Sequence, residues 1–270
     1  MSELLKVIII GIVEGITEFL PVSSTGHLIV TTALLQPAMS DAAAGTFEIF
    51  IQVGAVLAVI LYYRAELWSQ VTSVRTDRGT QRLWLAIVVA AIPAAIIGIL
   101  LRGFIKDNLF FPFVVAVALI VGGILLIWIE RRPRPAAVTE MLDQITLRQA
   151  LIIGVVQTLA LIPGTSRSAA SIIGAMGAGL SRQAATRFSF FLAIPTLGGA
   201  TVLDLLLSLD QLEAGDLPYF VIGTVVSFVV ALLAIHWLLN YVARNTFVPF
   251  GVYRIIAGGV IVILIAAQIL

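Results

Sequence analysis

Six stretches of this chain, at about 47–63, 83–101, 111–129, 188–206, 218–239 and 250–269, stay predominantly apolar for long enough to cross a bilayer. A crossing takes roughly 17–25 residues at about 1.5 Å each. No other feature restricts the fold as much, because hydrocarbon offers the backbone no water. Each such stretch must satisfy its own amides and carbonyls, and a helix does so. The chain is 60% hydrophobic and only 11% charged, against roughly 25% charged in a soluble domain. The expected fold class is therefore an all-α polytopic membrane protein, with residues 1–270 forming one membrane domain.

Two further apolar regions, about 4–36 and 148–180, are not plain spans. FLPVSSTGH interrupts the first and LIPGTSRSA the second. Proline, glycine and hydroxyl residues in such a cluster end one helix, start another, and leave backbone groups free. Those groups must be buried in protein or line a polar cavity. Each region is expected to be a re-entrant hairpin of two short helices.

The chain also repeats. GIVEGITEFLPVSST (11–25) aligns with GVVQTLALIPGTSRS (154–168), and FEIFIQVGAVLA (47–58) with FSFFLAIPTLGG (188–199). FPFVVAVALIVGGILLI (111–127) aligns with VPFGVYRIIAGGVIVIL (248–264), and the offset stays between about 137 and 143 residues throughout. Two repeats follow, about 1–135 and about 145–270, each with one hairpin and three spans. Three is odd, so the second repeat is expected to be inverted relative to the first. Inverted repeats with broken helices place their polar site near the bilayer midplane, where the halves meet. The Gly pairs at 122–123 and 258–259 suggest close helix contact.

Orientation is read from arginine. Arg64, Arg75, Arg78 and Arg82 fall in one connection, and Arg131, Arg132, Arg134 and Arg148 in another, whereas Asp210, Glu213 and Asp216 occupy a third. Positive loops stay in the cytoplasm, so both termini and the acidic loop are expected outside. Arg102 and Lys106 in the short external loop weaken this without reversing it. The amino-terminal apolar run meets Glu14 and Glu18 rather than a small-residue cleavage site, so no cleavable leader is expected. A net charge of +1 argues against a nucleic-acid partner, and the lack of cysteine excludes disulfides, thiolate catalysis and Cys-based zinc sites.

The breaks carry the chemistry. Glu14 and Glu18 share one helical face, and each charge at mid-membrane costs about 2.5–3.5 kcal/mol. A pair of this kind holds a divalent cation or acts as an acid/base couple. Ser23, Ser24 and Thr25 precede Gly26 and His27 at the start of the next short helix. One hydroxyl suffices as a cap, which leaves the others, with the free amides, for an anion. His27 is a nucleophile or the base for a serine. Arg167 stands among Thr165, Ser166 and Ser168, with no acidic residue between Asp143 and Asp204. It either neutralises a glutamate of the first break or serves as a phosphate fork. Glu48, Gln52 and Gln157 are candidate cavity-lining residues; His236 is expected to pack at an interface, and Asp204 to be hydrated at a span end.

EGITEFLPVSSTGH and PGTSRS, together with FSFFLAIPTLGGAT and FGVYRIIAG, resemble the bacterial undecaprenyl-diphosphate phosphatases, also described as bacitracin-resistance proteins. The resemblance runs nearly end to end. It implies hydrolysis of a polyprenyl diphosphate to the monophosphate, which recycles the lipid carrier of cell-wall synthesis. It also implies a divalent cation (Mg2+ or Ca2+) and a site open to the periplasm of the bacterial inner membrane. By position it assigns catalysis to Glu14, Glu18, Ser24, His27 and Arg167, the metal to Glu14 and Glu18, and support to Ser23 and Thr25. The preferred nucleophile is Ser24 with His27 as its base; a phosphohistidine and direct attack by water stay open. Ala169 stands where the family usually has glycine. The competing reading is a polyprenyl-phosphate transporter or flippase, whose architecture is similar. Membrane lipids are the expected surroundings, and a homodimer is one admissible assembly.

Overall fold

The computed structural model describes residues 1–38, 41–133, 138–208 and 217–270. Arg134, Asp210, Glu213 and Asp216 lie outside the described residues, as does the side chain of Lys106. Helices α1 (Glu3–Thr17), α2 (Ser24–Leu35), α3 (Asp41–Tyr62), α4 (Arg64–Ser73), α5 (Arg78–Leu100), α6 (Arg102–Asn108) and α7 (Pro112–Arg131) make up the first half. Helices α8 (Leu147–Gln157), α9 (Arg167–Gly177), α10 (Arg182–Ser208), α11 (Leu217–Val242) and α12 (Val248–Ala266) follow. Six of them, α3, α5, α7, α10, α11 and α12, are long and apolar enough to span a membrane. The protein is an all-α polytopic membrane protein, as its long apolar stretches dictate.

The spans differ from their apolar cores mainly at the ends. α5 begins at Arg78 rather than near 83, because Asp77 caps it and accepts from the amides of Gly79 (3.4 Å) and Thr80 (2.7 Å). Those bonds, with one from the Thr80 hydroxyl, hold the Asp77 carboxyl below its usual range. The arginine-bearing connection before it is not a loop throughout, since α4 fills most of it.

α1 and α2 form one helical pair, and α8 and α9 the other. The outer ends of the first pair are tied where Lys6 Nζ donates to the Gln36 carbonyl (2.9 Å) and Ala38 N–H to Glu3 (2.7 Å). The second pair is closed where the Gln149 amide donates to the Ala178 carbonyl (3.0 Å). Each pair breaks in the same manner. A proline, Pro21 or Pro163, removes an amide, and a serine at positive φ then starts the next helix. Ser23 has φ 76° and ψ 100°, and Ser166 has φ 70° and ψ 120°. Each caps its helix through its side chain, on Gly26 N–H (3.4 Å) and Ala169 N–H (3.2 Å). Left-handed backbone at a non-glycine residue costs about 1–3 kcal/mol and persists only where its surroundings over-determine it. Ala169 is not among the positive-φ residues, so its added methyl carries no backbone penalty.

Small residues bring the helices close. α1 packs on α11, where a Cβ added at Gly15 would lie 2.7 Å from the Ser227 carbonyl oxygen. α7 packs on α12, and a Cβ on Gly123 would lie 2.6 Å from the Gly251 oxygen. Of the two glycine pairs, Gly122, Gly123 and Gly258 make the close contact, while Gly259 faces open space. Replacing Gly123 by Val is expected to destabilise the fold by about 1–3 kcal/mol through overpacking. A lower thermal midpoint of the purified protein in detergent would register it.

Candidate active site

Charge from one break meets charge from the other. Glu18, just past the end of α1, is 7% exposed, and its Oε2 accepts the Ser24 hydroxyl at 2.8 Å. Its Oε1 accepts from Nε and Nη2 of Arg167, each at 3.4 Å. Arg167 Nη1 donates to the Ser189 carbonyl at 3.0 Å. A guanidinium has five N–H donors, and these bonds occupy three of them. Two remain, one on each terminal nitrogen. Phe19 supports the guanidinium, which lies 5.9 Å from its ring centroid, and Phe190 holds Phe19 edge-on at 5.3 Å. Ser168 donates across the break to the Leu20 carbonyl (2.9 Å), and its hydroxyl also meets that of Ser166 at 2.9 Å.

Glu14 lies one turn before Glu18 and is fully buried, with both carboxylate oxygens lacking a protein partner. Gln157, its counterpart in the repeat alignment, is 2% exposed, and its amide too has no partner. Buried polar atoms are rarely left unpaired, so Glu14 calls for a cation, a proton or water. Glu48 lies within electrostatic reach of Glu14; it and Gln52 are half-buried on α3. Among the described residues no three His, Cys, Asp or Glu side chains gather into a metal cluster.

His27 does not pair with Ser24. Its Nδ1 lies 2.7 Å from the Ser23 carbonyl oxygen and its Nε2 2.6 Å from the Tyr253 hydroxyl. The serine one turn earlier is already committed to Glu18, so the expected Ser24–His27 couple is replaced by a Ser24–Glu18 couple. Thr25 and Thr165 flank the breaks half-buried, and Gly26 packs against Leu119, where a Cβ would lie 3.1 Å away.

Sequence reasoning missed two neighbouring residues of α12. Arg254, fully buried, has no carboxylate partner among the described residues; it donates to the carbonyls of Pro21 (3.2 Å), Gly164 (3.1 Å) and Thr165 (2.9 Å). It also reaches Ala118 (3.2 Å) and Leu119 (3.4 Å) on α7. One guanidinium thus joins both breaks to a span. The signal was present, since an ionisable residue inside an apolar span marks a function by default. Tyr253, which holds His27, lines an apolar groove of about 410 Å³ with Ile16, Leu20, Val22, Trp237 and Phe250. Of the residues set aside, Asp204 pairs with Arg102 at 2.7 Å, and His236 contacts Tyr62 and Asn240.

The protein is thus a polytopic helical membrane protein with a buried carboxylate–hydroxyl–guanidinium centre and an apolar groove. The sequence narrows this. The family model described as Bacitracin resistance protein BacA matches residues 7–260, and the chain belongs to that family. Proteins named undecaprenyl-diphosphatase are close in sequence. That of Verminephrobacter eiseniae is 50% identical over 252 residues, 93% of this chain and 91% of the relative. That of Deinococcus radiodurans is 50% identical over 264 residues, 97% and 96% of the two chains.

Replacing Arg254 by Met leaves the carbonyls of both breaks without their donor, each at a cost of about 1–3 kcal/mol. The expected result is a thermal midpoint well below that of the wild type. Gly122→Ala is expected to act in the same direction, because its Cβ would overlap the Arg254 guanidinium.

Proposed function

We propose that this protein hydrolyses a polyprenyl diphosphate to the monophosphate and inorganic phosphate. The relatives named undecaprenyl-diphosphatase, at about half identity over nearly the whole chain, favour hydrolysis over lipid flipping. One observation carries the chemistry: Ser24 Oγ lies 2.8 Å from a carboxylate oxygen of Glu18, whose other oxygen meets a guanidinium with two donors to spare. A hydroxyl, a base and an anion clamp at one point are what phosphoryl transfer requires.

The lipid tail lies in the groove lined by Leu20, Val22 and Tyr253, and the diphosphate reaches between the breaks. Arg167, the free amides at the starts of α2 and α9, and the hydroxyls of Ser23, Thr25 and Thr165 hold the phosphate oxygens; Ser166 and Ser168 spend their hydrogens on each other and on the Leu20 carbonyl and shape the second break. Ser24 Oγ attacks the terminal phosphorus while its proton passes to Glu18. The bond to the bridging oxygen breaks, and the lipid monophosphate leaves. Water then attacks the phosphoserine and gives its proton to His27, whose Nε2 accepts it once the Tyr253 hydroxyl has turned away. Ser24 recovers a proton from Glu18, and phosphate departs.

Glu14 and Glu18 fit a divalent cation, Mg2+ or Ca2+, on chemistry. They form an oxygen-only set, and both oxygens of Glu14 are buried without a partner. Mg2+ is held by one or two carboxylates plus substrate phosphates, so two protein ligands suffice. Bound there, such an ion would neutralise charge on the phosphate oxygens.

We read the two broken pairs as re-entrant hairpins of inverted repeats; the matched serine geometry at Ser23 and Ser166, 143 residues apart, supports this. The arginine-rich connections favour a site open to the periplasm, with both chain ends on that side.

Purified protein in detergent, given a short prenyl diphosphate, is expected to release phosphate in a single compartment, which a flippase would not do. Arg167→Ala is expected to lower kcat/KM by about 10²–10³-fold. A chelator is expected to abolish release and Mg2+ to restore it. Ser24→Ala with near-normal turnover would overturn the serine route, and trapping the phosphoenzyme identifies the nucleophile directly.

A further inference from the structure

One residue of α10 holds Arg167 at both ends. The Ser189 carbonyl takes the guanidinium through Nη1 at 3.0 Å. The Ser189 hydroxyl reaches the main chain of Arg167 through Ser171, one turn further along α9. Ser171 Oγ donates to the Arg167 carbonyl at 2.9 Å and to the Ser168 carbonyl at 3.1 Å. A hydroxyl has a single hydrogen, so in the 2.7 Å contact between the two serines Ser189 is the donor. Both side chains are buried. Thr186 and Thr196, on the same helix as Ser189, turn their hydroxyls back to carbonyls of α10 at 2.8 and 2.7 Å. Ser189 instead sends its hydrogen to a neighbouring helix. Beside it, Phe190 meets edge-on the Phe19 ring that supports the guanidinium.

We propose that Ser171 and Ser189 are positioning residues for Arg167. Their hydroxyl pair sets α10 against α9 so that the Ser189 carbonyl meets the guanidinium. That carbonyl keeps the guanidinium at its long 3.4 Å from Glu18, with one hydrogen free on each terminal nitrogen. Without the pair, the two helices can slide by the few tenths of an ångström that end a hydrogen bond. The guanidinium then loses its carbonyl and closes on Glu18, which takes up the donors left for phosphate oxygens. The consequence rests on the phosphatase reading, in which Arg167 holds the diphosphate. A hydroxyl pair kept for packing alone would stabilise the bundle with no dependence on Arg167.

The test uses purified full-length protein in detergent with farnesyl diphosphate as substrate. It compares wild type, Ser171→Ala, Ser189→Ala, the double serine variant, Arg167→Ala, and Ser189→Ala combined with Arg167→Ala. Each single serine variant is expected to lower kcat/KM about tenfold, the worth of one hydrogen bond. The loss falls mainly on KM, because the fork holds charged oxygens before as well as during the reaction. The double serine variant is expected to lose no more than either single one, since the two hydroxyls form one link. In the Arg167→Ala background, Ser189→Ala is expected to change kcat/KM by less than about twofold, because its target is gone. Wild-type kinetics in both single variants, or losses that multiply with that of Arg167→Ala, would overturn the proposal. Inorganic pyrophosphate reads the fork without turnover, as a rise in each protein's own thermal midpoint. Ser189→Ala is expected to need about tenfold more pyrophosphate than wild type for the same rise. An equal requirement would overturn the proposal even if Arg167→Ala is too slow to assay, and so would a wild type that pyrophosphate does not stabilise. A wild type that pyrophosphate stabilises but that releases no phosphate sinks the phosphatase reading instead, and the titration still decides the link from Ser189 to Arg167.

Discussion

The structure depends on satisfying backbone groups where there is no water. Two helices are broken inside an apolar bundle, and each break frees carbonyls and amides that hydrocarbon would leave bare. Arg254 meets the carbonyl side of that demand for both breaks at once, with Pro21 from one and Gly164 and Thr165 from the other. The carbonyls are thereby drawn toward α12, and the starts of α2 and α9 keep their amides for something else. An interior built this way is ready for an anion before any substrate arrives.

The charges follow the same logic. Arg254 is buried with carbonyl dipoles as its counterweight, and Arg167 shares the Glu18 carboxylate at a long 3.4 Å. A shorter, bidentate pairing would have spent the guanidinium on neutralisation alone. The looser pairing, with Nη1 held by the Ser189 carbonyl, leaves donors to spare and keeps Glu18 available to Ser24. The contact with Glu18 is the neutralising pairing that the sequence allowed for Arg167, and the donors it leaves free are those the proposed phosphate fork would use. Glu14, deeper and unpartnered, is a buried carboxyl whose two oxygens are left for a proton, a water or a cation.

Much of this was legible in the chain. The six spans follow from hydropathy, because lipid imposes a length and a composition that few other environments demand. The two breaks follow from Pro21 and Pro163 with their serine clusters, because proline and hydroxyl residues have local meanings that survive any tertiary context. Glu18, Ser24 and Arg167 stood out for the same reason, as polar groups in an apolar region. Helix ends were less legible. α5 extends to its Asp77 cap and α4 fills a connection, since capping and surface packing act outside the apolar window.

The amino-acid order alone therefore determined the class of fold, the location of the breaks and the residue types gathered in them. Those properties are set by local sterics and by the cost of polar groups in lipid, both of which act within a few residues. Which side chain pairs with which was decided by tertiary structure. Ser24 and His27 are three residues apart and looked like a couple, yet Glu18 takes the serine, and Tyr253, 226 residues away, takes the imidazole. Hydrogen bonds hold over only a few tenths of an ångström. Their partners are fixed by how α1, α2 and α12 cross, and no spacing along the chain encodes that.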